Sequence, residues 1–388
     1  MSDFGSALRA DWLLDPAVTY LNHGTVGAPP RRVLEYQRAL SDEIERQPAR
    51  FMLRELADPE AEGARSRMRE AAADVAAFVG VLADDFVFVD NITEAANAVL
   101  RSFPLTSDDE VIITSLGYGG VSNAATYAAR LAGATLTTIE MPRPGSPMHA
   151  FVETIESALT PATRIVLVDH ITASTALVLP LAEIAEACHA AGALVLADGA
   201  HVPGNIELDI SALGVDWYAA NLHKWAWAPR SAGFLWTSPE QQVHLRPTVT
   251  SWGLDHGLAA EFDLPGTHDP TPVLTAPFAI SLMKERGLEA IYAYNHELAW
   301  WAGHTLAEAW GTTFTTPEAM IGAMVTVQLP SRFDASVDAA EAARAGLEQA
   351  GIEVPVYATP TGLETRVSAQ IYCDADDIEA LAKAVQSL

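Results

Sequence analysis

Ala193-Leu-Val-Leu-Ala-Asp-Gly-Ala-His201 and Trp217-Tyr-Ala-Ala-Asn-Leu-His-Lys-Trp225 decide the fold of this chain. Each opens with an apolar run of strand length and ends in side chains able to do chemistry. A run that is apolar at every position is buried on both faces, which marks a strand inside a parallel sheet. Working outward, further candidate strands lie at 85–89, 110–114, 135–140, 164–169 and 233–237. Amphipathic helical stretches stand between the earlier ones, at 93–101, 121–131, 150–159 and 181–191. Strands separated by helix-length segments predict an α/β architecture, a mostly parallel sheet with helices on both faces. One large α/β domain is expected over 15–277. The remainder reads as helices at 275–286 and 288–309, a strand at 324–329, a helix at 336–351, a strand at 366–372 and a helix at 375–388. That order predicts a smaller C-terminal α+β domain over 278–388.

Composition bounds the function. The 388 residues suggest two or three domains. Hydrophobic residues make up 49% and charged residues 19%, a globular balance that argues against disorder. A formal charge of −27 opposes a phosphate backbone, so a nucleic-acid binder is not expected. One small anion held in a local positive pocket remains compatible. The longest apolar runs are strand-length, so no membrane span is expected. Residues 1–12 mix Asp3, Arg9 and Asp11 with short side chains, which does not read as a signal peptide. Cys188 and Cys373 cannot build a disulfide framework or a four-cysteine zinc site, and no metal is expected. A cytoplasmic enzyme is the default.

Open α/β sheets bind ligands at the carboxyl ends of their strands. Just beyond the strands stand Asp90-Asn-Ile92-Thr93, Ser115-Leu-Gly-Tyr118-Gly-Gly120, Asp169-His170-Ile-Thr172, Asp198-Gly-Ala-His201 and Asn221-Leu-His223-Lys224. This edge gathers a helix start, an aromatic ring, acids, histidines and a lysine, a set for gripping an anionic aromatic ligand. Pyridoxal 5′-phosphate (PLP) needs such a set. Its aldehyde requires a lysine amine for the Schiff base, and its ring nitrogen a carboxylate that keeps the ring an electron sink. Its phosphate suits a helix start with hydroxyl or imidazole donors, and its face an aromatic stack. Lys224, Asp198, Thr93 and Tyr118 fill these four roles.

The chain resembles the fold-type I PLP enzymes of the class V aminotransferase superfamily, and within it the isopenicillin N epimerase-like group. The resemblance is carried by Tyr20-Leu-Asn-His-Gly-Thr-Val-Gly27, Asp90-Asn-Ile-Thr-Glu-Ala-Ala-Asn97, His170-Ile-Thr-Ala-Ser-Thr-Ala176 and Asp198-Gly-Ala-His-Val-Pro-Gly204. Asn221-Leu-His-Lys-Trp225, Gly266-Thr-His-Asp269 and Arg366-Val-Ser-Ala-Gln-Ile-Tyr372 extend it almost end to end. It implies that Lys224 forms the Schiff base and later carries the proton at the substrate α-carbon. Asp198 would pair with the ring nitrogen, His201 and Thr172 would face the phenolic edge, and Tyr118 would stack on the ring. Ile92, Thr93 and His223 would hold the phosphate. Thr267 would reach the phosphate of a neighbouring subunit, which implies a homodimer with shared sites. Arg366 would grip the substrate α-carboxylate, for which a guanidinium is geometrically suited. Asn22 and His23, in the N-terminal segment 1–28, would border the substrate.

The reaction branch stays open at this level. Reprotonation of the α-carbon on the opposite face gives epimerisation; loss of a β-substituent gives a C–S lyase; protonation elsewhere gives an aminotransferase. The leading expectation is an epimerase-like reaction on an amino-acid-type small molecule, with Tyr118, His23 or water as the second proton carrier. Neither cysteine lies on a Gly-rich loop, so persulfide-type desulfuration is not expected. A nicotinamide dehydrogenase would need a Gly-x-Gly-x-x-Gly turn after an early strand, and Gly117-Tyr-Gly-Gly120 does not fit. A non-enzymatic binder on the same scaffold would have lost the lysine or the acid, and both are present.

Overall fold

Seven strands form one sheet: β1 (Phe86–Val89), β2 (Glu110–Thr114), β3 (Thr135–Ile139), β4 (Thr163–Asp169), β5 (Leu194–Asp198), β6 (Trp217–Asn221) and β7 (Gly233–Thr237). The computed structural model describes residues 4–57 and 66–388, so residues 1–3 of the expected N-terminal segment lie outside it. The spatial order is β1-β7-β6-β5-β4-β2-β3. β7 runs antiparallel to β1 and β6, and the other pairs are parallel. Every expected strand of this sheet forms within one residue of its predicted bounds.

Alternation along each strand divides the core in two. Val87, Val111, Ile113, Ile165, Leu167, Leu196, Trp217 and Leu235 face one side. There they meet α1 (Ile92–Ser102) and α2 (Gly119–Ala132), whose buried alanines allow close approach. Phe86, Phe88, Ile112, Val166, Val168, Val195, Tyr218 and Phe234 face the other side and join the larger core. α1 starts where it does because Asn91 caps it, accepting from the Thr93 and Glu94 amides at 3.0 and 3.1 Å.

Helices Arg31–Arg46 and Arg67–Phe78, which the sequence reading did not predict, pack on helix Thr271–Arg286. The last runs through position 277, so a continuous helix leads from the large sheet to the C-terminal elements. Beyond it lie helix Leu288–Trp310 and an antiparallel sheet of β8 (Met324–Gln328), β9 (Val356–Thr359) and β10 (Gly362–Ser368), in the order β9-β10-β8. The strand expected at 366–372 is a correction: β10 spans Gly362–Ser368. Ala369 to Tyr372 are buried and therefore read as strand, yet they turn out of the sheet. The Cys373 amide closes on the Gln370 carbonyl at 2.7 Å, and Gly5 takes the Ile371 carbonyl at 2.7 Å. The N-terminal segment is stitched to this region through Thr19–Tyr20, paired in parallel with Ile352–Glu353. Among the described residues no helix is long and apolar enough to cross a membrane.

Candidate active site

The parity that divides the core also aims the site. Asp169, Asp198 and Asn221 each end a strand two residues beyond Leu167, Leu196 and Ala219, and so point to the face that α1 covers. Asn221 Oδ1 accepts from the Ile92 amide at 3.0 Å and ties the helix start to the sheet. The Ile92 and Thr93 amides are thus already engaged, which leaves the Thr93 hydroxyl as the donor open to a ligand. All these groups line a cavity of about 580 Å³ together with Tyr118, His201, His223, Lys224 and Arg230.

Lys224 stands on the loop after β6. The Leu222 and His223 amides both reach the Ala232 carbonyl, at 2.9 and 3.1 Å, so the loop returns tightly into β7. Trp225 and Trp227 are fully buried beside it. Trp227 and Ser231 hold φ of 60° and 65°, a conformation that L side chains rarely adopt, and its persistence shows how firmly the surroundings fix this loop. The N-terminal segment closes against it: a Cβ on Gly27, at φ 67°, would stand 1.9 Å from the His223 carbonyl oxygen. His23 braces it from behind. Its Nε2 lies 2.9 Å from the Lys224 carbonyl oxygen and its Nδ1 2.9 Å from the Tyr372 hydroxyl.

The electrostatics follow from burial. Lys224 Nζ lies 3.2 Å from His201 Nε2. Burial pushes the lysine down to about 8; Asp198 draws it back up, and Arg366 lowers it further. Burial raises Asp198 to about 6, against the Ala200 amide and Lys224, which lower it. His201 is held well below the usual imidazole range by burial and then by Lys224 and Arg366, so it is neutral at pH 7. Asp198 Oδ1 accepts from the Ala200 amide at 2.9 Å, while Oδ2 is buried without a partner. A buried, unpaired carboxylate oxygen facing a cavity fits a cationic ligand group. The amine is a nucleophile only when neutral, so the rate at which cofactor-free protein takes up an aldehyde should climb as pH rises through about 8. Stopped-flow absorbance would check this; a midpoint near the free-lysine value of 10.5 would contradict it.

Arg366, on β10, reaches the same region from the C-terminal sheet. It is buried, and it donates to the Thr25 hydroxyl at 2.7 Å and to the Ala173 carbonyl, while its Nε has no partner. Thr25 donates in turn to Asn22 Oδ1, and Asn22 donates to Glu353 at 2.8 Å. Arg366 lines an adjoining recess of about 260 Å³ with Tyr118, Lys224, His201, Ser174 and Tyr357.

The structure therefore brings Lys224, Asp198, His201, Ile92, Thr93, Tyr118 and His223 to one cavity, with Arg366 in the recess beside it. Asn22 and His23 sit one layer behind. Thr172 is fully buried; its hydroxyl bonds Thr175 at 2.7 Å and accepts from the Leu177 amide at 2.8 Å, within its own loop. Thr267 lies in a separate cavity of about 280 Å³, with Asp90, Glu94 and His268. Sequence reasoning gave no role to Asp169, Asn221, Arg230 or Tyr357, all of which line the two recesses. For Asp169 the signal was present: it ends its strand as Asp198 does. Cys188 and Cys373 are both fully buried away from these cavities, and burial pushes both thiols up, Cys188 to about 12.

The chain is similar to known proteins over nearly its whole length. The Aminotransferase class-V family matches residues 20–381. The chain is 32% identical to isopenicillin N epimerase of Streptomyces clavuligerus, covering 98% of each chain. It is 29% identical to a probable chloroplastic L-cysteine desulfhydrase of Arabidopsis thaliana, over 96% of this chain and 83% of the relative. Among solved structures, a C-DES variant with glycine covalently linked to its PLP cofactor superposes with a TM-score of 0.78 at 21% identity, over 97% of this chain and 98% of that one.

Proposed function

The chain belongs to the class-V aminotransferase family, and from that premise we propose that it is an epimerase acting at the α-carbon of an amino acid or amino-acid-bearing small molecule. It is a fold-type I PLP-dependent enzyme, and its cofactor is pyridoxal 5′-phosphate. The observation that carries the proposal is one cavity holding a desolvated amine, an orphaned carboxylate oxygen and a neighbouring buried guanidinium. The likeness to isopenicillin N epimerase over nearly the full length of both chains supports the reaction.

The residues fit the cofactor. Lys224 supplies the amine for its aldehyde and Asp198 Oδ2 the partner for its ring nitrogen. The Thr93 hydroxyl and His223 stand where an anionic phosphate is welcome, and Tyr118 offers a ring to stack. When bound, PLP supplies an electron sink that makes the substrate Cα–H acidic. The Lys224 amine, at the same cavity, would carry that proton on one face. Epimerisation needs a second carrier, and Tyr118, lining both recesses, is assigned that role. His23 is set aside because both its ring nitrogens are engaged and burial lowers it to about 4. Arg366 orients the α-carboxylate. Its replacement by alanine is expected to raise KM for an amino-acid substrate tenfold or more, since a charged hydrogen-bonded pair is worth about 1.5–3 kcal/mol. Steady-state kinetics that leave KM unchanged would remove it from the substrate.

A β-elimination C–S lyase is the second reading, favoured by the desulfhydrase relatives. Elimination needs no protein thiol, whereas transfer of sulfur onto the enzyme as a protein-bound persulfide does, and both buried cysteines argue against the latter. Incubation of the holoenzyme with a panel of L-amino acids and sulfur-bearing analogues in D₂O separates the readings. Inversion with deuterium at the α-carbon supports epimerisation; release of a thiol and a keto acid without inversion would replace it with the lyase.

We also propose a homodimer. Trp252, Val249 and Leu254 are 89%, 54% and 46% exposed, and Val249 lines the cavity of Thr267. Exposed apolar side chains so close in sequence support a protein contact, and Thr267 would serve the partner's phosphate. Light scattering should give twice the chain mass at working concentration, and a stable, active monomer would defeat the shared-site picture.

A further inference from the structure

Asp169 ends β4 as the register partner of Asp198 at the end of β5. Partners in a ladder stand about 4.8 Å apart with side chains on the same face. Both acids are buried, 4% and 5% exposed, and both line the large cavity. Lys224 is the cation that acts on each of them. The backbones of Tyr118 and Ala173 favour the charged form of Asp169, and the Ala200 amide is bonded to Asp198. Two buried carboxylates thus face one amine, whose charge is already weakened by burial and by Arg366. A surplus negative charge in so dry a place is costly unless a ligand brings the matching positive charge.

We propose that Asp169 is a supporting carboxylate of the ring-nitrogen site, acting through Asp198 to hold the cofactor's pyridine nitrogen in its protonated form. The inference rests on the PLP reading above and goes beyond it, because a single carboxylate is all that reading requires. A protonated ring nitrogen places a positive charge beside the pair, and each carboxylate deepens the well that the proton occupies. The charged groups that act on Asp169 are Asp198 from β5 and Lys224 from the loop after β6; His201, His223 and Arg230 line the same cavity. The segments carrying Tyr118 and Ala173 act on it through their backbones. A purely structural role, in which Asp169 only ties those two loops to the sheet, is the alternative to be tested.

The experiment uses holoenzyme loaded with PLP labelled with ¹⁵N in the ring, and follows the nitrogen resonance against pH in the wild-type protein and in Asp169→Asn. Asparagine keeps an oxygen for the Tyr118 and Ala173 backbones but carries no charge. The expected result is a ring nitrogen that loses its proton about one pH unit or more lower in Asp169→Asn than in the wild type. The same shift is expected in Asp169→Ser, a smaller neutral variant that serves should the amide pack poorly. A titration identical to wild type in a folded variant would overturn the proposal and leave Asp169 a loop tie. A wild-type protein that retains no labelled cofactor would sink the PLP reading itself, an outcome visible before any variant is compared.

Discussion

Lys224→Ala is expected to fold and to lose turnover by a factor on the order of 10⁴ or more, because one substitution removes both the covalent attachment point and a proton carrier. The covalent part can be read without any substrate. Borohydride treatment should fix PLP to the wild-type chain, raise its intact mass by one reduced cofactor and abolish absorbance above 400 nm. The variant should bind PLP only reversibly and show no mass increase. The result is clean because the sequence holds three lysines, Lys224, Lys284 and Lys383, and Lys284 and Lys383 are exposed. Lys383 is paired with Glu379 on a surface helix. Only Lys224 has the buried setting that makes an amine neutral near pH 8. Covalent trapping or normal turnover in the variant would refute the assignment.

The sheet was legible because its strands are buried on both faces. A run such as Ile165-Val-Leu-Val168 has no polar position to place in water, so its identity and ends are both marked. The same logic failed at 366–372. Ala369 to Tyr372 are as buried as any strand, but there burial comes from a turn wedged between the N-terminal segment and the C-terminal helices. Composition reports burial and not direction. Helix Arg31–Arg46 escaped for the opposite reason. Only Val33, Leu40 and Ile44 are buried along its sixteen residues, a stripe too thin to stand out among so many charges.

At the site, the legible residues are those just beyond a strand. Asp198, His201, His223 and Lys224 follow apolar runs directly, and the sheet delivers them to one edge. Arg366 was legible by its residue type, but its setting was not. The chain Arg366–Thr25–Asn22–Glu353 joins three distant stretches of sequence, and no local pattern announces it. Thr172 shows the converse. It lines neither recess, and its hydroxyl is spent on the turn that carries it. Residue type and spacing say which groups can reach a site; only the hydrogen bonds say which remain free to act there.

Asp198→Asn should separate stability from function. The carboxylate has a buried oxygen without a partner, and burial raises it to about 6 from 3.8. Between those values the folded state of the cofactor-free protein binds more protons than the unfolded state. Stability therefore falls as pH rises through this window, and the whole penalty is present above about 6. Asparagine keeps the acceptor for the Ala200 amide and removes the charge. The cofactor-free variant should accordingly melt no lower than wild type at pH 8, and higher if the neighbouring Asp169 is also ionised there. Activity should move the other way. On the proposed reading the carboxylate, whose buried oxygen lacks a partner at the cavity, would stabilise positive charge on the cofactor's ring nitrogen. Removing one preorganised electrostatic partner of this kind costs about 2.7–4 kcal/mol, a factor of roughly 10²–10³ in kcat. Scanning calorimetry at pH 8 and single-turnover kinetics on the same preparation would read both effects. A variant with full activity would place the ring nitrogen elsewhere. One that melts far below wild type would mean that the charge serves the fold and not the chemistry. A fold that gains while the reaction loses is the expected combination, because a charge buried for the sake of a bound ligand burdens the protein until that ligand arrives.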